Sequence, residues 1–92
     1  MLKISTTKKY RKNYKKIKHK QKVLKELKIV IKILSSKMPI PAKYRDHELK
    51  GKLNSIRELH LGFDDLLLYI IKNQDNELIL IDIGTHASTL NV

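Results

Sequence analysis

The hydrophobic periodicity of this chain changes at one point, and that change constrains the fold more than any other feature. Before Met38-Pro39-Ile40-Pro41 the apolar residues recur at helical spacing; after it they alternate or run together as in strands. Each Pro lacks an N–H and restricts the residue before it, so no helix crosses the segment. Upstream, Leu24, Leu27, Ile31 and Leu34 form one stripe, widened by Val23 and Val30, which predicts an amphipathic helix. Tyr10, Tyr14 and Ile17 give an earlier helix with Lys on its other faces, opened by the hydroxyls of Ser5, Thr6 and Thr7. Lys18-His19-Lys20-Gln21 reads as the turn between them, so the two make a helical hairpin. Leu2-Lys3-Ile4-Ser5 alternates like a short strand. Downstream, Asn54–Leu61, Leu66–Ile71 and Leu78–Ile83 read as strands, the last two joined by a turn at Lys72–Asn76. The expected order is β-α-α-β-β-β. This is an α+β fold, a helical hairpin packed on a mainly antiparallel sheet, in one domain over residues 1–92. Residues 43–52 are polar, lack a period and read as a long ordered loop.

Charge separates the same two halves. The chain carries 20 Lys+Arg against 9 Asp+Glu, a net charge of +11. Residues 1–50 hold 17 basic and 3 acidic residues (+14), and residues 51–92 hold 3 and 6 (−3). Basic charge gathered at one end points to a polyanionic partner, nucleic acid or an acidic protein. Lys8, Lys9, Lys12, Lys15 and Lys16 of the first helix are candidate phosphate contacts, with Lys43, Arg45, Lys50, Lys52 and Arg57 around the loop. Tyr10 and Tyr14 are expected to pack against the second helix. Tyr44, in the basic loop, is the candidate for stacking on a base. With no Cys, disulfides, a thiol nucleophile and a zinc–thiolate site are excluded. No apolar run approaches the ~20 residues of a membrane span, and the N-terminus lacks the apolar core of a signal peptide. A cytoplasmic protein without membrane contact is the expectation.

Four His supply the chemistry-bearing residues: His19, His47, His60 and His86. His19 lies among lysines and reads as solvated. The other three stand in the loop, at a strand end and just past the last strand, with Asp46, Asp64, Asp65 and Asp82 beside them in sequence. Proton transfer, metal binding and ordinary hydrogen-bonded His are all open on composition. None of the spacings is a metal signature, so neither metal nor cofactor is expected.

Four segments in register carry a resemblance. Tyr44-Arg45-Asp46-His47-Glu48-Leu49-Lys50-Gly51, Arg57-Glu58-Leu59-His60, Asp64-Asp65-Leu66-Leu67-Leu68-Tyr69 and Ile83-Gly84-Thr85-His86 follow the YafQ-type toxins. Those toxins belong to the RelE/ParE superfamily of type II toxin–antitoxin systems. The resemblance covers about residues 38–90, and the Lys-rich hairpin after a first strand agrees with a RelE-like fold. It implies a metal-independent endoribonuclease that cleaves mRNA, commonly on the ribosome beside rRNA. It also implies a cognate antitoxin, with the toxin monomeric alone and hetero-oligomeric in the complex. On the family pattern His47, His60, Asp64 and His86 are the catalytic set. His86 is then the expected general acid, His47 and Asp64 take the base or orienting role, and His60 positions them or meets the phosphate. The runner-up is a non-catalytic or attenuated RNA- or ribosome-binding protein with the toxin fold.

Three positions depart from the pattern. Asp82 stands where the family has an Arg two residues before the Gly of Gly-Thr-His. Asp65 stands where a Trp is usual, and Leu90 replaces an aromatic. On this reading Asp82 opposes the developing phosphate charge and weakens cleavage, so Asp82→Arg is expected to raise activity.

Overall fold

The computed structural model describes residues 1–49, 55–62 and 64–85. β1 (Lys3–Thr6) leads into α1 (Lys8–Ile17) and α2 (Gln21–Ser35). A 3-10 turn at Ala42–Tyr44 precedes β2 (His47–Glu48), and β3 (Arg57–His60), β4 (Asp65–Lys72) and β5 (Glu77–Thr85) follow. Thr7 is the joint between strand and helix. Its Oγ1 accepts from the Tyr10 N–H at 3.0 Å, capping α1, and donates to the Ile81 carbonyl. Its N–H reaches the Leu80 carbonyl at 3.1 Å. One residue therefore satisfies a helix end and ties α1 to β5, a cap of about 0.5–2 kcal/mol.

The sheet order is β1-β5-β4-β3-β2. β1 runs parallel to β5, and the other pairs are antiparallel. The two predicted helices and four predicted strands are all present; β2 is an addition inside the segment expected to be a loop. Two residues cannot display a period, so β2 exists only through its pairing of His47 with Glu58 and Glu48 with Arg57. β3 begins at Arg57, three residues later than expected. The β4–β5 ladder pairs Leu68 with Asp82 but Tyr69 with Leu80, leaving Ile81 as the extra residue of a bulge.

Alternation then sorts the faces. Leu67 and Tyr69 of β4, Leu59 of β3 and Leu78, Leu80 and Ile83 of β5 join Val23, Leu27, Val30 and Leu34 of α2 in one core. Each such side chain fully removed from water contributes roughly 1.5–3 kcal/mol. Glu58 and His60 alternate with Leu59, and pair across the ladder with Leu68 and Leu66. They therefore face away from the helices. That opposite face is where the His-bearing strands meet.

Candidate functional site

β2 lies on the outer edge of β3, and their register sets His47 directly against Glu58. His60 follows Glu58 by two residues and so shares its face. The two imidazole rings stack with centroids 6.1 Å apart at 28°. Glu58 Oε1 sits between them, 3.6 Å from His47 Nε2 and 3.5 Å from His60 Nε2. Glu58 is 2% exposed, whereas the His47 side chain is 51% exposed and that of His60 only 10%. On its other side, His47 Nδ1 lies 2.8 Å from the Arg45 carbonyl. Arg45 adopts φ 48° at the end of the 3-10 turn, which bends the chain into β2.

Two of the four expected catalytic side chains, His47 and His60, are therefore adjacent. Asp64 occupies the β3–β4 turn just beyond His60, exposed, in a loop closed by the Leu61 N–H on the Asp65 carbonyl at 2.8 Å. β5 ends at the same edge, with Thr85 paired to Asp65. His86 comes next in sequence and lies outside the described residues, as do Lys50, Lys52 and Leu90. Glu58 was not singled out as a site residue, although its place two residues before His60 on a strand was the signal for a shared face. Among the described residues, no group of three or more His, Cys, Asp or Glu is placed to hold a metal ion. No helix among them is long and apolar enough to cross a membrane.

The loop before β2 is held from two sides. Asp46 accepts from Arg57 Nε at 3.2 Å and Nη2 at 2.8 Å, and also from the Tyr69 hydroxyl. Arg57, expected on RNA, thus has its guanidinium bound to Asp46. The hydrogen bonds to Asp46 raise the Arg57 pKa further, and burial pushes the Tyr69 phenol well above its ordinary value. Tyr44 corrects the expectation of a base-stacking residue. It is buried, 3% exposed, its hydroxyl donates to Glu26 Oε2 at 2.6 Å, and Lys43 Nζ lies 5.0 Å from its ring centroid. Glu26 is the sole acid in the first 45 residues, which was the available hint that something basic or hydroxylic must meet it. Beside Tyr44, a hollow of about 200 Å³ opens between Lys43, Arg45 and His60.

Burial pushes the phenols of Tyr10 and Tyr44 up to about 12, assisted by Tyr14 for the first and Glu26 for the second. Unfolded tyrosine titrates near pH ~10. A group raised on folding stabilises the protein below its unfolded value and loses that contribution as pH climbs through the folded one. Stability is therefore expected to hold to about pH 10 and fall toward pH 12. Tyrosinate absorbance followed with circular dichroism checks this: Tyr10, Tyr44 and Tyr69 ionise late, together with loss of structure. One step near pH ~10 with the fold intact contradicts it.

The basic positions divide by surroundings. Lys8, Lys12, Lys15 and Lys16 project into solvent from α1, and Lys43 and Arg45 are exposed beside the hollow. Lys9 reaches Asp82, its Nζ 3.4 Å from Oδ2. Asp82 itself is 1% exposed, and its Oδ1 accepts from Asn13 Nδ2 at 2.7 Å and from the Ile83 N–H at 2.8 Å. The bulge at Ile81 resets the alternation just before it, and α1 supplies its partners. Asp65, also expected near the site, is buried and ion-paired with Lys20 at 3.0 Å.

A family profile described as a bacterial toxin of type II toxin–antitoxin system, YafQ, matches residues 2–91. The chain belongs to the YafQ toxin family. The mRNA interferase toxin YafQ of Escherichia coli K12 is 34% identical over 80 residues, covering 86% of this chain and 85% of that protein. The fold of a metal-bound toxin from Helicobacter pylori superposes with a TM-score of 0.88 at 43% identity, covering 97% of this chain and 99% of that one. YafQ in the Escherichia coli DinJ–YafQ complex superposes with a TM-score of 0.82 at 28% identity, covering 97% and 98%. The α+β fold is that of the YafQ structures.

Proposed function

We propose that this YafQ-family chain is one toxin domain over residues 1–92 that cleaves mRNA on the ribosome without a metal ion. The observation that supports the reading best is the His47–Glu58–His60 cluster, with rings 6.1 Å apart beside a basic hollow. Such a cluster suits RNA because cleavage needs proton transfers and a cation rather than a metal. A base takes the proton from the ribose 2′-OH, the 2′-oxygen bonds to phosphorus, and the P–O5′ bond breaks as an acid protonates the leaving oxygen. The products are a 2′,3′-cyclic phosphate and a 5′-hydroxyl. In this scheme His86 is the acid, Asp64 and His47 divide the base and orienting roles, and His60 meets the phosphate. Lys8, Lys12, Lys15, Lys16, Lys43 and Arg45 attach the RNA backbone, and Lys50 and Lys52, a few residues on in sequence, are assigned the same role.

The cognate antitoxin would be acidic. Tyr10, Tyr14, Leu24, Leu27 and Ile31 floor a groove of about 500 Å³ between the helices, and Arg11, Lys15, Lys18 and Lys28 rim it. An amphipathic acidic segment fits both chemistries.

The second reading, a binder that retains the fold with weakened or no cleavage, is favoured by one observation: β5 offers buried Asp82, not a cation, where the family has Arg. Incubating purified protein with an mRNA, with and without translating ribosomes, separates the two. Discrete cuts that require ribosomes support the toxin reading; salt-sensitive binding with no cut in either arm establishes the binder.

A further inference from the structure

Asp46 and His47 are neighbours in sequence and project to opposite faces of the sheet. His47 stacks with His60 on the face away from the helices. Asp46 reaches the helix side, where the core residue Tyr69 lies 1% exposed. There its carboxylate accepts from Arg57 Nη2 at 2.8 Å, from Arg57 Nε at 3.2 Å and from the Tyr69 hydroxyl. Arg57 and Tyr69 are direct partners across β3 and β4, so two strands present donors to one acceptor. The Asp46 side chain is 15% exposed, and water competes little for these bonds.

The use of such an anchor follows from the length of β2. Backbone N–H and C=O groups repeat at every residue, so a ladder alone does not choose its register; side chains choose it. β2 offers two residue pairs, extended by the Leu49 N–H on the Ile56 carbonyl at 2.8 Å. Its Glu48 adds an exposed 3.2 Å bond from the Ser55 N–H. His47 lies 3.6 Å from Glu58, too far for a hydrogen bond. Within residues 45–49, Asp46 alone makes enclosed, charge-assisted hydrogen bonds, roughly twice as strong as neutral ones. A slip of β2 by one residue would exchange its faces, turning His47 toward Tyr69 and Asp46 outward.

We propose that Asp46 is a positioning residue: its bonds to Arg57 and Tyr69 lock the register of β2 on β3 and so hold His47 on the site face. The part His47 plays in cleavage rests on the ribonuclease reading; the register does not. Arg57 then serves the site from behind the sheet rather than by touching RNA.

Cross-strand nuclear Overhauser contacts test the register without RNA. The wild type is expected to show backbone contacts between His47 and Glu58 and between Glu48 and Arg57. Asp46→Asn keeps the shape and removes the charge. It is expected to lose those contacts while the Leu59–Leu67 contact of β3 and β4 remains. Wild-type contacts in a folded Asp46→Asn overturn the proposal, and so does their absence from the wild type. In the cleavage assay Asp46→Asn lowers kcat by about a hundredfold with KM little changed, the scale of a misplacement of about 1 Å. On a His47→Gln background it changes kcat by less than about twofold, because it acts through His47. An equal loss on both backgrounds contradicts positioning. If Asp46→Asn does not fold, Tyr69→Phe decides, since it removes one donor and keeps the ring. It is expected to weaken the His47–Glu58 contact and lower kcat about tenfold; both unchanged overturn the proposal. A wild type that cleaves nothing defeats the ribonuclease reading, while the contacts still decide whether Asp46 sets the register.

Discussion

Replacing Asp82 with Arg is expected to unfold the protein rather than raise its activity. The sequence invites the opposite expectation, because an Arg is usual at that position in the family. In this chain the carboxylate is 1% exposed and is the acceptor for Asn13 and for the Ile83 N–H, with Lys9 at 3.4 Å. An Arg would bring a cation beside Lys9 and strand the Asn13 amide without its acceptor. Removing one partner of a buried charged network costs about 3–5 kcal/mol, a large part of the ~5–15 kcal/mol that holds a domain. Asp82→Asn keeps the shape and is milder, about 1–3 kcal/mol. Urea titration followed by circular dichroism checks both. An Asp82→Arg protein that melts like the wild type and cuts RNA faster contradicts this account of Asp82.

His86→Ala is expected to abolish toxicity while leaving the fold in place. Loss of a general acid lowers the rate by roughly 10²–10⁴, enough to turn growth arrest into ordinary growth when the protein is induced. The position follows Thr85, the last residue of β5, whose core residues Leu78, Leu80 and Ile83 are themselves unchanged by the substitution. Plating after induction, with melting curves on the purified variant, makes the measurement. Arrest by the variant equal to that by the wild type removes His86 from the acid role.

How far the sequence reaches is set by the range of the interaction involved. α1 and α2 were legible because Tyr10, Ile17, Leu27 and Leu34 repeat at local helical spacing. β4 and β5 were legible because an apolar run signals a strand without reference to its neighbours. β2 was not, since two residues acquire strand character only from a pairing about ten residues away. Tyr44 looked like an aromatic free to stack; its burial depends on Glu26, 18 residues earlier on α2. Asp82 looked like a charge facing substrate, and its partner Asn13 is 69 residues away, brought alongside by the Thr7 junction and the bulge at Ile81. His60 could be placed at a strand end, but His47 fell in a segment read as a loop, so its meeting with His60 follows from the β2–β3 pairing. The carboxylate between them could not be assigned, because its meaning lies in the register that sets His47 opposite Glu58.

Attack by RNA's own 2′-oxygen leaves a signature in the chemistry of the severed ends. An mRNA recovered after cleavage on translating ribosomes is divided in two. One half is labelled with polynucleotide kinase without prior phosphatase treatment, and the other after it. A downstream fragment with a free 5′-hydroxyl, labelled equally in both halves, is expected, and no such fragment with His86→Ala. A downstream fragment that accepts label only after phosphatase carries a 5′-phosphate, and that result would contradict 2′-oxygen attack.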